Sequence, residues 1–262
     1  MSEGISLVAS ARIQRRIVGA LLLRELLTRF GRHNIGFLWL FAEPMLFTLG
    51  VLGIWTLYHT NRTPFPLTAF CLSGYATVLL WRNTIGRCGN AVEPNRALMH
   101  HRNVKVIDLF LARIVLEISG ASVSFVVLLV IFMLMGAIAP PDDVIKMIVA
   151  WGMLDWFSAR MALIVGQLAT LSEPFERFWH VFAYLFLPAS GAFFAVAMLS
   201  PHLQSIALWV PTVSCAELLR EGLFGPSIGA RYDLYYVAVV NLALMIPGLL
   251  LTRHIQVTVE GE

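Results

Sequence analysis

Residues 29–58, RFGRHNIGFLWLFAEPMLFTLGVLGIWTLY, restrict this chain more than any other stretch. The run opens basic, from Arg29 to His33, and turns apolar from Phe37 to Tyr58. About twenty mostly apolar residues at ~1.5 Å rise per residue cross the hydrocarbon core of a bilayer. Backbone groups in that core have no water to bond, so such a segment has to be helical. Glu43-Pro44 lies inside the run near its basic end, where a charge has to face protein rather than lipid. Composition extends the inference to the rest of the chain. Of 262 residues 58% are hydrophobic and 13% charged, with a mean hydropathy of +0.75. A soluble domain carries roughly 25% charge. This length holds about five to seven spans joined by short loops, and no large domain outside the membrane.

Six spans are predicted, at about 37–58, 67–89, 108–138, 144–169, 179–199 and 235–252. The second is the least apolar, because Arg82, Asn83 and Arg87 fall in its later half. Breaks coincide with turn chemistry at Thr63-Pro64-Phe65-Pro66, Pro140-Pro141-Asp142-Asp143, Ser172-Glu173-Pro174 and Ser200-Pro201. Pro188, Pro211 and Pro247 lie within apolar runs, where membrane helices tolerate proline. Basic residues near span ends set the orientation. Arg12, Arg15, Arg16, Arg24, Arg29, Arg32, Arg96, Arg102, Lys105, Arg177 and Arg253 fall on one side; Arg62, Lys146, Arg220 and Arg231 fall on the other. The first side is therefore cytoplasmic and holds both termini, as an even span count requires. The polar, then basic N-terminus reads as no secretory signal. Cys71, Cys88 and Cys215 are too few and scattered for a disulfide framework.

Two cytoplasmic segments stand out. Drawn as a helix, residues 20–32 place Ala20, Leu23, Leu26, Leu27 and Phe30 on one face and Arg24, Glu25, Thr28, Arg29 and Arg32 on the other, with Leu21 and Leu22 as exceptions. A basic amphipathic helix of this kind lies along the membrane surface. Residues 93–105, EPNRALMHHRNVK, form the longest cytoplasmic segment between spans, and Glu93-Pro94 suits the first turn of a helix. By topology alone the segment is an ordinary basic loop. His100 and His101 point about 100° apart on a helix and share no nearby acid or thiol, so no metal site is expected.

The string at 29–58 and a second one, LMHHRNVKVIDLFLARIVLE at 98–117, closely resemble the membrane subunit of capsular polysaccharide exporters, an ABC type-2 permease family. The remainder fits that family by length and hydropathy. The resemblance implies an all-α polytopic membrane protein, a single transmembrane domain over residues 1–262. It implies an N-terminal interface helix over 10–33, with Arg24, Arg29 and Arg32. A short coupling helix over 93–106 would dock a separate ATPase through Arg96, Met99, His100, His101, Arg102, Asn103 and Lys105. Two short re-entrant periplasmic gate helices would occupy 202–226, inside the oddly apolar stretch from Pro201 to Asp233. The resemblance also implies a homodimer, two cytoplasmic ATPase copies that carry the ATP and Mg, a periplasmic polysaccharide co-polymerase or adaptor, and lipid-linked capsular polysaccharide as cargo. It places the first and fifth spans at the dimer seam, which makes Gly50, Gly53, Tyr184, Gly191 and Phe194 candidates for the substrate path. O-antigen or teichoic-acid exporters share this topology.

Charges inside spans leave two roles open. Glu117 and Arg160 both lie roughly 14 Å from the cytoplasmic ends of their spans, so they are matched in depth for a buried pair. Arg113 alternatively pairs with Glu117 four residues on, and Asp155 is deepest without an evident partner. Such charges either join helices, or, in the case of Arg82, Arg113 or Arg160, face a watery path for an anionic glycan or lipid phosphate. Most tryptophans and tyrosines fall near span ends as an interfacial belt; Trp156 and Tyr184 do not, and sugars stack on such rings. No phosphate-binding loop of the form Gly-x-x-x-x-Gly-Lys-Ser/Thr occurs, so ATP hydrolysis belongs to another chain and no cofactor is expected on this one. Converging catalytic groups of a membrane glycosyl- or acyltransferase are not seen, nor are the internal repeats of a secondary carrier, and no nucleic-acid partner is expected.

Overall fold

The computed structural model describes residues 7–30, 66–95 and 104–260, with scattered positions between 42 and 57. Among the described residues every regular element is helical. The helices are α1 (Leu7–Phe30), α2 (Leu67–Cys88), α3 (Val106–Leu134), α4 (Val144–Leu171), α5 (Glu173–Phe186), α6 (Pro201–Ala207), α7 (Pro211–Phe224) and α8 (Leu234–Glu260), with 3-10 turns at Glu93–Asn95, Leu187–Ser190, Val196–Met198 and Pro226–Ile228. Among the described residues three helices are long and apolar enough to cross a membrane: α3, α4 and, in α8, Leu234–Arg253.

Local chemistry accounts for the helix ends. Asp143 caps α4 by accepting from the Lys146 N–H at 3.1 Å, just after the Pro140-Pro141 break. Asp108, in the first turn of α3, accepts from the Lys105 N–H at 3.1 Å. Pro174 and Pro211 stand in the first turns of α5 and α7, where a missing N–H costs nothing.

Helix α2 lies between α3 and α4, which meet each other only sparingly; α4 packs in turn on α7 and α8. One part of the core gathers Trp81, Ile85, Cys88, Phe110, Leu154 and Leu163, with Trp81 edge-on to Phe186 at 5.4 Å. A second gathers Leu72, Phe125, Leu128, Met147 and Leu219, with Phe125 stacked on Trp151 at 4.7 Å. Met45 and Leu52 of the first predicted span pack against this second part. Helix α7, only fourteen residues long, is buried from Thr212 to Arg220 on all sides, so its Glu217 and Arg220 have to find polar partners within the protein. The cysteines are free and buried.

Two expectations need correction. The span predicted over 179–199 is not one helix. It ends at Phe186, tightens into the Leu187–Ser190 turn, and reverses at Gly191, whose φ is +87°. Pro188 cannot donate to the Tyr184 carbonyl, which accepts from the Leu187 N–H instead as the helix closes. The N-terminal helix also turns differently. Leu21 and Leu22, the exceptions on the helical wheel, pack with Ile17 and Val18 on Leu109 and Ala112 of α3. Leu23 and Leu27 are each 60% exposed. One apolar stripe of α1 thus meets α3, while Leu23 and Leu27 stay exposed beside Arg24 and Thr28.

Candidate functional site

The irregular backbone after α5 is held from α7. Arg220, fully buried, donates from Nη2 to the Ala192 carbonyl at 2.7 Å and from Nη1 to the Phe194 carbonyl at 2.6 Å. Its charge is balanced by Glu217 one turn earlier, Nη1 to Oε1 at 3.4 Å, and its guanidinium lies 4.1 Å over the Phe70 ring. Glu217 in turn accepts from the Val196 N–H at 3.2 Å and the Arg231 N–H at 3.4 Å. One ion pair thereby satisfies backbone groups that a continuous helix would have satisfied itself. The fit is close: a Cβ on Gly74 of α2 would collide with the Ala192 carbonyl oxygen. At the same end Lys146 bonds Glu221 at 2.8 Å, and this bond holds the Glu221 carboxyl below its ordinary range.

At the other end, α2, α3 and α5 enclose an open cleft of about 290 Å³. Arg82, Asn83 and Arg87 come from the last turns of α2, Asn90 from the turn that follows, Arg113 from α3, and Trp179, His180 and Tyr184 from α5. Arg82 lies 4.2 Å over the Tyr184 ring. Arg87 Nε meets Glu117 Oε2 at 3.4 Å. Arg113 bonds Glu25 of α1 at 2.6 Å and donates to the carbonyls of Arg87 and Asn90 at 2.8 and 2.7 Å. One is in the last turn of α2 and the other in the turn that follows, so Arg113 covers the negative end of that helix.

Helix α1 is tied to both flanks of the predicted coupling segment. Arg24 donates to Asn95, and Gln14 Nε2 donates to Asp108 Oδ1 at 3.1 Å. Lys105 is exposed at the start of α3. Arg96, Met99, His100, His101, Arg102 and Asn103 lie outside the described residues, as do Arg32, Glu43 and the Arg29 side chain.

The predicted site residues therefore separate. Arg82 and Tyr184 come together in the cleft. Trp156 and Arg160 lie half-buried on α4, away from the cleft lining. The depth-matched pair of Glu117 with Arg160 is not the pair made: Glu117 meets Arg87 instead, and Arg160 Nε and Asp155 Oδ1 are buried without a hydrogen-bond partner among the described residues. The cause is lateral placement, because α2 stands between α3 and α4. Gly50 and Gly53 are exposed, and Phe194 is half-buried. Gly191 is buried, with its Cβ position 3.0 Å from Val213 Cα, so it belongs to the interior rather than to a path surface. Sequence reasoning missed the Glu217–Arg220 staple, whose signal was an acid and a base three apart in a short apolar helix. It also missed the partners of Arg87 and Arg113.

An all-helical fold with long apolar helices, an internally paired set of charges and a basic, aromatic cleft defines an integral membrane protein. No family model matches the chain. Over 254 residues it is 38% identical to the capsule polysaccharide export inner-membrane protein CtrC of Neisseria meningitidis serogroup B, covering 97% of this chain and 96% of that protein. It is 36% identical over 254 residues to the capsule polysaccharide export inner-membrane protein BexB of Haemophilus influenzae, with 97% and 96% covered. The polysialic acid transport protein KpsM of Escherichia coli is 29% identical over 245 residues, with 92% and 94% covered. The chain belongs to the family of capsule polysaccharide export inner-membrane proteins.

Proposed function

We propose that this chain is the membrane-spanning, non-catalytic permease subunit of an ATP-driven exporter that moves lipid-linked capsular polysaccharide from cytoplasm to periplasm. Likeness along nearly the whole chain to export proteins of the inner membrane carries this reading. In it the chain crosses the membrane six times with both termini cytoplasmic. Two copies form a homodimer, and the polymer passes between them, since a symmetric dimer can enclose one central pathway. Gly50, Gly53, Tyr184 and Phe194 are the candidates for that surface, and α6 and α7 stand over the periplasmic exit. Two copies of a cytoplasmic ATPase, which bind the ATP and Mg, dock on residues 96–105, and a periplasmic adaptor receives the polymer. The ties from α1 to Asn95 and Asp108 support the docking reading, because they brace both flanks of that segment.

Reconstitution of the chain with its ATPase in vesicles tests the reading. ATP is expected to drive fluorescent lipid-linked glycan across the membrane. Lys105→Glu is expected to leave insertion and ATPase association detectable while hydrolysis no longer responds to substrate. Absence of ATP-driven movement by the native complex refutes the function; a Lys105→Glu complex that remains fully coupled refutes the docking site.

A further inference from the structure

The cleft between α2 and α5 holds a cation, Arg82, that no acid among the described residues balances. Its neighbours are neutralised, Arg113 by Glu25 at 2.6 Å and Arg87 by Glu117 at 3.4 Å. Among the described residues Arg82 has no carboxylate within ion-pair distance, and its recorded partner is the face of Tyr184. A ring face leaves the guanidinium edge free to donate, and that planar fork suits two oxygens of one anion. The negative end of α2 would oppose an anion here, but Arg113 already occupies the Arg87 and Asn90 carbonyls. Asn83 and His180 add polar groups around the same space.

Size and surroundings narrow the ligand. A space of about 290 Å³ takes a phosphate group with a glycerol or one sugar, not a polymer. Beside it the outer face of α5 presents Phe178, Val181 and Leu185, which are 60%, 61% and 74% exposed. A basic seat next to an exposed apolar ridge matches a ligand with an anionic head and an acyl tail. A free sugar acid or a soluble nucleotide uses only the first half of that surface.

We propose that this cleft seats the phosphate head of a phospholipid or of a phosphate-bearing lipid-linked glycan, with Arg82 as its counter-ion and the α5 ridge against its acyl chain. Naming the glycan carrier as the working ligand rests on the export reading above; binding of the phosphate head does not. The test uses the full chain in micelles of a neutral detergent, with lipid retention read by native mass spectrometry. Probes are phosphatidylglycerol, diacylglycerol of the same chains, and inorganic phosphate as competitor. Phosphatidylglycerol is expected to bind about tenfold or more tightly than diacylglycerol, the size of one charge-assisted contact. Arg82→Gln is expected to remove that preference and leave diacylglycerol binding unchanged, while Arg82→Lys retains most of it. Equal binding of the two lipids, or a preference that survives in Arg82→Gln, overturns the seat. Full displacement by millimolar inorganic phosphate overturns the lipid and leaves only a small-anion site. If Arg82→Gln does not fold, the comparison of native protein with Arg82→Lys, and of the two lipids on native protein, still decides. Lipid retention without ATP-driven export in vesicles refutes the export reading alone.

Discussion

Replacing Arg220 by methionine removes the staple that holds the backbone between α5 and α6. Methionine keeps the stem's volume but gives up both donors, so the carbonyls of Ala192 and Phe194, bonded at 2.7 and 2.6 Å, lose their partner. Glu217 keeps two backbone N–H donors, at 3.2 and 3.4 Å, but loses its counter-ion while almost fully buried. Breaking a buried pair from one side costs about 3–5 kcal/mol. That is about a fifth or more of a typical total stability of about 5–15 kcal/mol. Glu217→Gln is the milder perturbation. Glutamine still accepts from the Val196 N–H, and Arg220 retains both carbonyls, so about 1–2 kcal/mol is expected. Denaturant unfolding of the purified chain in micelles, followed by tryptophan fluorescence, measures both. The ranking is the sharp part: Arg220→Met must cost more than Glu217→Gln. An Arg220→Met protein within about 1 kcal/mol of the native one, or a costlier Glu217→Gln, would show that these carbonyls do not depend on the guanidinium.

Two further substitutions test the packing. Gly74→Ala places a methyl against the Ala192 carbonyl beneath Arg220, and is expected to destabilise by about 1–3 kcal/mol in the same unfolding assay; a neutral effect means that the two segments do not approach so closely. A double-mutant cycle of Arg87→Met with Glu117→Gln is expected to show a coupling of about 0.5–2 kcal/mol, whereas Arg160→Met with Glu117→Gln is expected to be additive within about 0.5 kcal/mol; the reverse result restores the depth-matched pair.

Height along a span is readable from sequence, and azimuth is not. Counting residues from the cytoplasmic ends put Glu117 and Arg160 at one level, and nothing in either helix says that α2 stands between them. The same limit governs Leu21 and Leu22. A helical wheel ranks faces by mean polarity, but contact with α3 depends on which apolar stripe a second helix meets. Start signals were more legible. Asp143 after Pro140-Pro141 and Pro211 before an apolar run mark α4 and α7 within a residue or two. The break at Leu187–Ser190 was hidden for a physical reason: an apolar run with one proline is compatible with a kinked membrane helix. Only the distant Arg220, which satisfies the opened backbone, tips the balance. The cleft was half legible, since Arg82 and Tyr184 were conspicuous on different spans while Asn83, Arg87 and His180 looked like ordinary span-end residues.

Arg113 joins three elements at the α1 end of the bundle. Its Nη2 holds Glu25 of α1, and its Nη1 holds the Arg87 carbonyl in the last turn of α2 and the Asn90 carbonyl just beyond, where the side chains line the cleft. It also borders a second small space beside Leu21, Arg24 and Asn95, so one guanidinium separates the α1 contact from the cleft. The pair with Glu25 is well shielded, with side chains 12% and 19% exposed. Solvent therefore screens it less than a surface pair. A shift of α1 must carry Arg113 along or break a 2.6 Å charged contact, and a carried Arg113 must release or drag the end of α2. Under the proposed function α1 lies beside the ATPase-docking segment and the cleft receives the lipid head. Geometry then leaves little freedom for one to move without the other, and the link runs through the Arg113 guanidinium.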